Sequence, residues 1–145
     1  MALFLIPLFV FVGLDQLTKY IVSSSMTLDS SITVIPKFFD LTYIKNDGAA
    51  YGMLSGKQRL LIVITVIAMI LITLYAVLDR KKHSRLEQFA LGMIVGGGIG
   101  NLIGRVTEGC VTDFFNIHII PVFNVADIGI TIGCLLLIIA VLKSE

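Results

Sequence analysis

Residues 105–127 read R-V-T-E-G-C-V-T-D-F-F-N-I-H-I-I-P-V-F-N-V-A-D, and the fold is decided there. This connection separates two apolar segments, each near the ~20 residues that a helix needs to cross a hydrocarbon core. It places Asp113 and Asp127 at their mouths. An ionisable group is costly at the edge of an apolar phase, so each acid is a functional candidate. Two of them, 14 positions apart across a short connection, suggest a shared site framed by the rest of the chain.

Composition agrees. The chain is 57% hydrophobic and only 14% charged, with a mean hydropathy of +0.97. Soluble domains are roughly a quarter charged, so bilayer-immersed helices account for this balance better than a soluble core. The expectation is one membrane-embedded domain over 1–145, mainly α, with spans near 3–22, 60–78, 87–105 and 123–142. The extramembrane stretches are then 23–59 and 106–122. A net charge of +1 and the lack of a basic-aromatic patch argue against nucleic acid as a partner. Cys110 and Cys134 read as free thiols that behave as small hydrophobes. The apolar N-terminus has no basic start and no A-x-A-like cleavage site, so it reads as a span that is kept.

Near the end of the first span, Asp15 and Lys19 stand at i and i+4 and can neutralise each other. In 23–59, S-I-T-V-I-P and F-F-D-L-T-Y-I are rich in β-branched and aromatic residues and predict two or more short strands in a small extramembrane sheet. K-N-D-G-A-A-Y-G-M-L-S-G (45–56) carries a turn signal, and Ala49, Ala50 and Gly52 allow close approach of backbone or an extended ligand. Asn46 could hydrogen-bond the backbone of a bound peptide. The second span has no charge. D-R-K-K-H-S-R (79–85) holds four basic residues and marks the cytoplasmic side, with His83 read as part of that solvated run. In the third span Gly92, Gly96, Gly100 and Gly104 recur every fourth residue, the pattern of closely packed membrane helices. Asn101 and Arg105 share a face. Arg105 reads either as an anchor snorkelling to the headgroups or as part of the site. Asn124 and Asp127 also share a face.

With 79–85 inside, four spans put both termini in the cytoplasm. Asp15, Asn46, Asn101, Arg105, Asp113, Asn124 and Asp127 then converge at the outer interface. Two carboxylates sharing a site cannot easily both ionise, so one can serve as acid and one as base. Such a pair can activate water while protonating the carbonyl or leaving group of an amide. The same pair could bind a cation or relay protons in a small transporter, although transporters more often place the site at the midplane between repeats. A scaffold gives no reason for two acids at helix mouths. Neither histidine is placed for a serine–histidine arrangement, since His118 lies alone in N-I-H-I-I. Metal ligation would need more donors.

Taken in order, the blocks D-Q-L-T-K (15–19), N-D-G-A-A-Y-G (46–52), G-N-L-I-G-R (100–105), V-T-D-F-F (111–115) and F-N-V-A-D (123–127) resemble those of the bacterial lipoprotein signal peptidases, or type II signal peptidases. The resemblance covers nearly the whole chain. It implies an aspartic endopeptidase of the bacterial cell membrane, with four transmembrane helices and an extracytoplasmic β-cradle. Such enzymes remove the signal peptide from diacylglyceryl-modified prolipoproteins by cutting just before the lipidated cysteine. By position, Asp113 and Asp127 match the catalytic pair. Asn46, Gly48, Asn101, Arg105, Asn124 and Ala126 match substrate-binding positions, and Asp15 and Lys19 the structural pair. Membrane lipids and globomycin-like inhibitors are implied partners, and no metal or cofactor is implied.

Two positions depart from the family pattern. Gly104 stands where an aspartate is usual, and Ile128-Gly129 where a serine is usual. Gly104 completes the glycine stripe, so closer helix packing is expected to compensate in part. An outer-face site would let the diacylglyceryl tails stay in the bilayer, and the sheet is placed to close over it as a lid.

Overall fold

The computed structural model describes residues 1–48 and 56–143. Ala49, Ala50 and Gly52 of the predicted close-approach turn lie outside the described residues. The chain runs α1 (Ala2–Ser25), β1 (Ser31–Ile35), β2 (Phe39–Asn46), α2 (Gln58–Leu78), α3 (Arg85–Thr107), β3 (Val111–Asn116) and α4 (Val125–Leu142). All four helices are long and apolar enough to cross a membrane, at the places the hydropathy pattern predicted. Short connections between α2 and α3 and between the strands make successive helices antiparallel, so the sheet and both its connections gather at one end of the bundle.

α3 is the central element. Its run from Ala90 to Gly98 is buried without interruption, while α2 exposes most of its apolar side chains outward and α4 many of its own. Close approach is the reason for its glycines. A Cβ at Gly92 would lie 2.2 Å from the Phe4 carbonyl oxygen, and one at Gly96 would lie 2.6 Å from that of Leu8, both on α1. On another face, a Cβ at Gly97 would meet the Ala126 carbonyl oxygen of α4 at 2.4 Å. Without a hydrophobic driving force between helices in lipid, such backbone proximity is what holds a bundle together. Phe4, Leu8, Ala76, Leu91 and Val95 form the core between α1, α2 and α3.

The three strands form one antiparallel sheet in the order β1-β2-β3. β3 came from a stretch read only as a connection. Along V-T-D-F-F-N, Phe114 joins Val22 of α1 and Tyr43 of β2 in a second core, and Asp113, one residue earlier, faces the other way. Opposite β2, Ile44 pairs with Asp113 and Asn46 with Val111. Beyond β3, Phe123 bridges to Phe115, which brings the start of α4 against the strand.

Two readings need correction. Gly104 does not complete a helix–helix contact: a Cβ there would meet the Cys110 carbonyl oxygen at 2.8 Å, so the residue lets the turn into β3 fold back on α3. His83 is not solvated. Its side chain is 4% exposed, its ring lies 4.4 Å from that of Tyr75, and Nε2 is 3.1 Å from the Tyr75 carbonyl oxygen. The reason is local: Ser84 caps α3 in a reciprocal box with Glu87, and that turn folds His83 inward. His118 has a positive φ of 63° and sets Nε2 3.0 Å from Asp40 Oδ2, tying the loop after β3 to β2. Cys110 and Cys134 are both free.

Gly96→Ala is expected to lower the thermal midpoint in detergent, at a cost of about 1–3 kcal/mol from overpacking against backbone. Gly13 has open space where its Cβ would be, so Gly13→Ala is expected to be neutral or to stabilise by about 0.5 kcal/mol. Equal effects from the two changes would contradict the close approach of α1 to α3.

Candidate functional site

A cavity of about 530 Å³ opens where β3, α3 and α4 meet. Asn46, Gly48, Asn101, Arg105, Asp113 and Asp127 form its polar part, and Ile120 to Phe123 with Ile128, Ile130 and Ile132 form its apolar wall. The two acids read as a pair in the sequence therefore do line one space.

Local structure explains their placing. Asn124 is the N-cap of α4, and Asp127 is the third residue of its first turn. The Asp127 N–H donates to Asn124 Oδ1 at 3.0 Å, and the Asn124 N–H donates to Asp127 Oδ2 at 3.1 Å. This is a reciprocal capping box, which occupies two of the N–H groups that every helix start leaves without partners. The Asp127 carboxylate also sits where the helix dipole favours negative charge. Asn124 then reaches the other acid, with Nδ2 donating to Asp113 Oδ1 at 2.7 Å. One asparagine thus holds both carboxylates. Asn46 Nδ2 donates to Asp113 Oδ2 at 2.9 Å, and the Gly48 N–H donates to Asn46 Oδ1 at 3.0 Å. Asn101 Nδ2 donates to Asp127 Oδ1 at 2.8 Å.

Behind this layer, Asp15 is fully buried. Lys19 Nζ donates to its Oδ2 at 2.7 Å, which bears out the predicted ion pair. Asp15 Oδ1 accepts the Ala126 N–H at 3.0 Å, possible because Gly100 leaves room: a Cβ there would lie 2.6 Å from Asp15 Oδ2. Ala126 and Asn124, grouped by motif with substrate-binding residues, are both fully buried and lie behind the cavity wall. Arg105 lines the cavity, and its buried Nε has no hydrogen-bond partner among the described residues. Thr112 went unnoticed in the sequence. Its carbonyl oxygen accepts from Asn124 Nδ2 at 3.4 Å and its hydroxyl from Lys45 Nζ at 2.9 Å; no local signal marked it, because those partners lie 12 and 67 positions away in the chain. Among the described residues no three His, Cys, Asp or Glu side chains converge as a metal site.

Burial pushes the Asp113 carboxyl up from 3.8 to about 6, and the nearby Asp127 charge adds to the rise. Bonds from Asn46 and Asn124 pull the other way. Asp113 is 2% exposed, so desolvation prevails.

A sequence model of the family described as signal peptidase (SPase) II matches residues 7–143. The lipoprotein signal peptidase of Staphylococcus aureus (strain MRSA252) is 41% identical over 143 residues, covering 96% of this chain and 86% of the relative. That of strain JH9 is 40% identical over the same shares. A bacterial membrane enzyme solved by the in meso method at 2.3 Å resolution superposes with a TM-score of 0.87 at 38% identity, covering 95% of this chain and 86% of that one. A second, at 1.9 Å resolution, gives 0.85 at 37% identity, over 97% and 92%.

Between pH 4 and 6 the folded protein holds a proton on Asp113 that the unfolded chain has lost. Stability from this group therefore falls as pH rises through that window, by about 3 kcal/mol in all. The thermal midpoint of Asp113→Asn relative to the parent is expected to be higher at pH 7.5 than at pH 5; an offset that ignores pH would refute the desolvated carboxyl. Gly104→Asp is expected to lower the thermal midpoint, because its Cβ meets the Cys110 carbonyl. An unchanged midpoint would show that the turn yields freely.

Proposed function

The chain belongs to the signal peptidase II family, and from that premise we propose that it is an aspartic endopeptidase with Asp113 and Asp127 as its catalytic pair. Membership makes it a multi-pass membrane protease of lipoprotein processing. The proposed substrates are diacylglyceryl-modified prolipoproteins, cut immediately before the lipidated cysteine.

The observation that carries the reading is the joint hold of Asn124 on both carboxylates at the edge of one cavity. One aspartate, ionised, takes a proton from water as its oxygen attacks the scissile carbonyl carbon. The other, protonated, gives its proton to the carbonyl oxygen. The resulting diol collapses as a proton passes to the amide nitrogen, the C–N bond breaks, and the pair returns to its starting charge. Burial raises the Asp113 carboxyl, which suits a pair that keeps one proton between its two members. In this reading the Arg105 guanidinium and the second N–H of the Asn46 amide bind peptide carbonyls. The apolar wall from Ile120 to Phe123 suits the hydrophobic stretch of a signal peptide, and globomycin-like inhibitors would compete for the same space.

The four basic residues of 79–85 support a cytoplasmic placement for that loop and both termini, with the cavity at the extracytoplasmic face. Diacylglyceryl tails can then remain among membrane lipids while the scissile bond reaches the pair, and the sheet can close over it.

The purified protein is expected to shift a diacylglyceryl-modified prolipoprotein on a gel, and Asp113→Asn and Asp127→Asn each to abolish the shift. Cleavage by either variant would sink the pair. A parent protein that never cleaves would sink the substrate assignment.

A further inference from the structure

Lys19 lies outside the large cavity and lines a separate one of about 200 Å³, with Gln16, Tyr20 and Thr112. It is nonetheless one residue removed from the proposed catalytic pair. Its Nζ donates to Asp15 Oδ2 at 2.7 Å, to Asn101 Oδ1 at 3.0 Å and to the Gly100 carbonyl oxygen at 3.4 Å. We propose that Lys19 is a positioning residue for the Asp113–Asp127 pair, setting the direction of the amide chain that aims N–H groups at both carboxylates. This rests on the reading that those two aspartates carry the chemistry.

The argument is one of donors and acceptors. An ammonium has three donors and no acceptor, so the end of Asn101 that faces Lys19 must be its carbonyl. The NH₂ end is thereby turned to Asp127 Oδ1. Asn124 follows the same polarity. Its Oδ1 is taken by the Asp127 N–H, so its Nδ2 points back to Asn101 Oδ1 at 2.9 Å and to Asp113 Oδ1. Reversing Asn101 would set oxygen against carboxylate and NH₂ against both NH₂ and ammonium. The buried positive charge also polarises the Asn101 amide and strengthens its bond to Asp127. A second route runs through Asp15, which Lys19 neutralises and which holds the Ala126 N–H in the first turn of α4. Both routes end on Asp127, and Lys19 itself does not line the cavity where substrate would bind.

A merely structural ion pair and a positioning residue differ in what is lost. Lys19→Met leaves Asp15 buried and unpaired, so it lowers stability on either view. Asp15→Asn with Lys19→Met removes that charge while keeping an oxygen for the Ala126 N–H. Steady-state cleavage of a diacylglyceryl-modified prolipoprotein, measured well below each thermal midpoint, separates them. Lys19→Met is expected to lower kcat about 100-fold with KM held within about twofold. The double variant is expected to regain most of the thermal midpoint while kcat stays low. Recovery of kcat together with the midpoint would overturn the proposal, as would a loss confined to KM. With Asp113→Asn alongside, an inactive aspartate variant beside a fully active Lys19→Met would overturn the positioning role alone. An active Asp113→Asn would overturn both it and the catalytic pair.

Discussion

The structure depends on the bond that Asn124 makes in two directions. Its backbone and side chain close the first turn of α4 around Asp127, and its amide nitrogen reaches across to Asp113 on β3. A helix start must find partners for its free N–H groups, and in an apolar setting water cannot supply them at low cost. Here the partner is the carboxylate of a functional candidate. The cap that makes α4 a helix therefore also orients the acid, and one requirement serves folding and site together.

That arrangement requires α1, α3 and α4 to come very close. Asp15 must cross from α1 to the start of α4, and it passes over Gly100, where any side chain would collide with it. Gly92, Gly96 and Gly97 hold the same spacing further along. α3 is consequently the span most enclosed by its neighbours, so its interior can carry small residues and buried amides that lipid-facing helices could not. The apolar load falls on α2 and α4, which face outward. The buried Asn101 amide sits in the helix that its neighbours enclose most.

Much of this was legible in the sequence because its signals are local. Four long apolar runs, a basic loop, a glycine every fourth residue and acids at helix mouths each report a periodicity or a transfer cost that needs no partner. Asp15 and Lys19 were readable as a pair from their spacing. Less local features were missed or misread. β3 is short, and its pairing with β2 is non-local. Gly104 lay in register with a helix-packing stripe but meets the turn before β3. His83 stands among charges, yet a capping box four residues long folds it under Tyr75.

The sequence by itself determined the membrane-spanning architecture, the places of the helices, and which residues could carry chemistry. Those follow from side-chain polarity counted along the chain. Only the tertiary structure decided the direction of the polar network: that Asn124 holds both acids, that Ala126 serves Asp15 from behind the wall, and that Lys19 faces Asn101. The physical reason is that an amide has a donor end and an acceptor end. Which end faces an acid is set by neighbours as far as 82 residues away in the chain, and no local pattern records that choice.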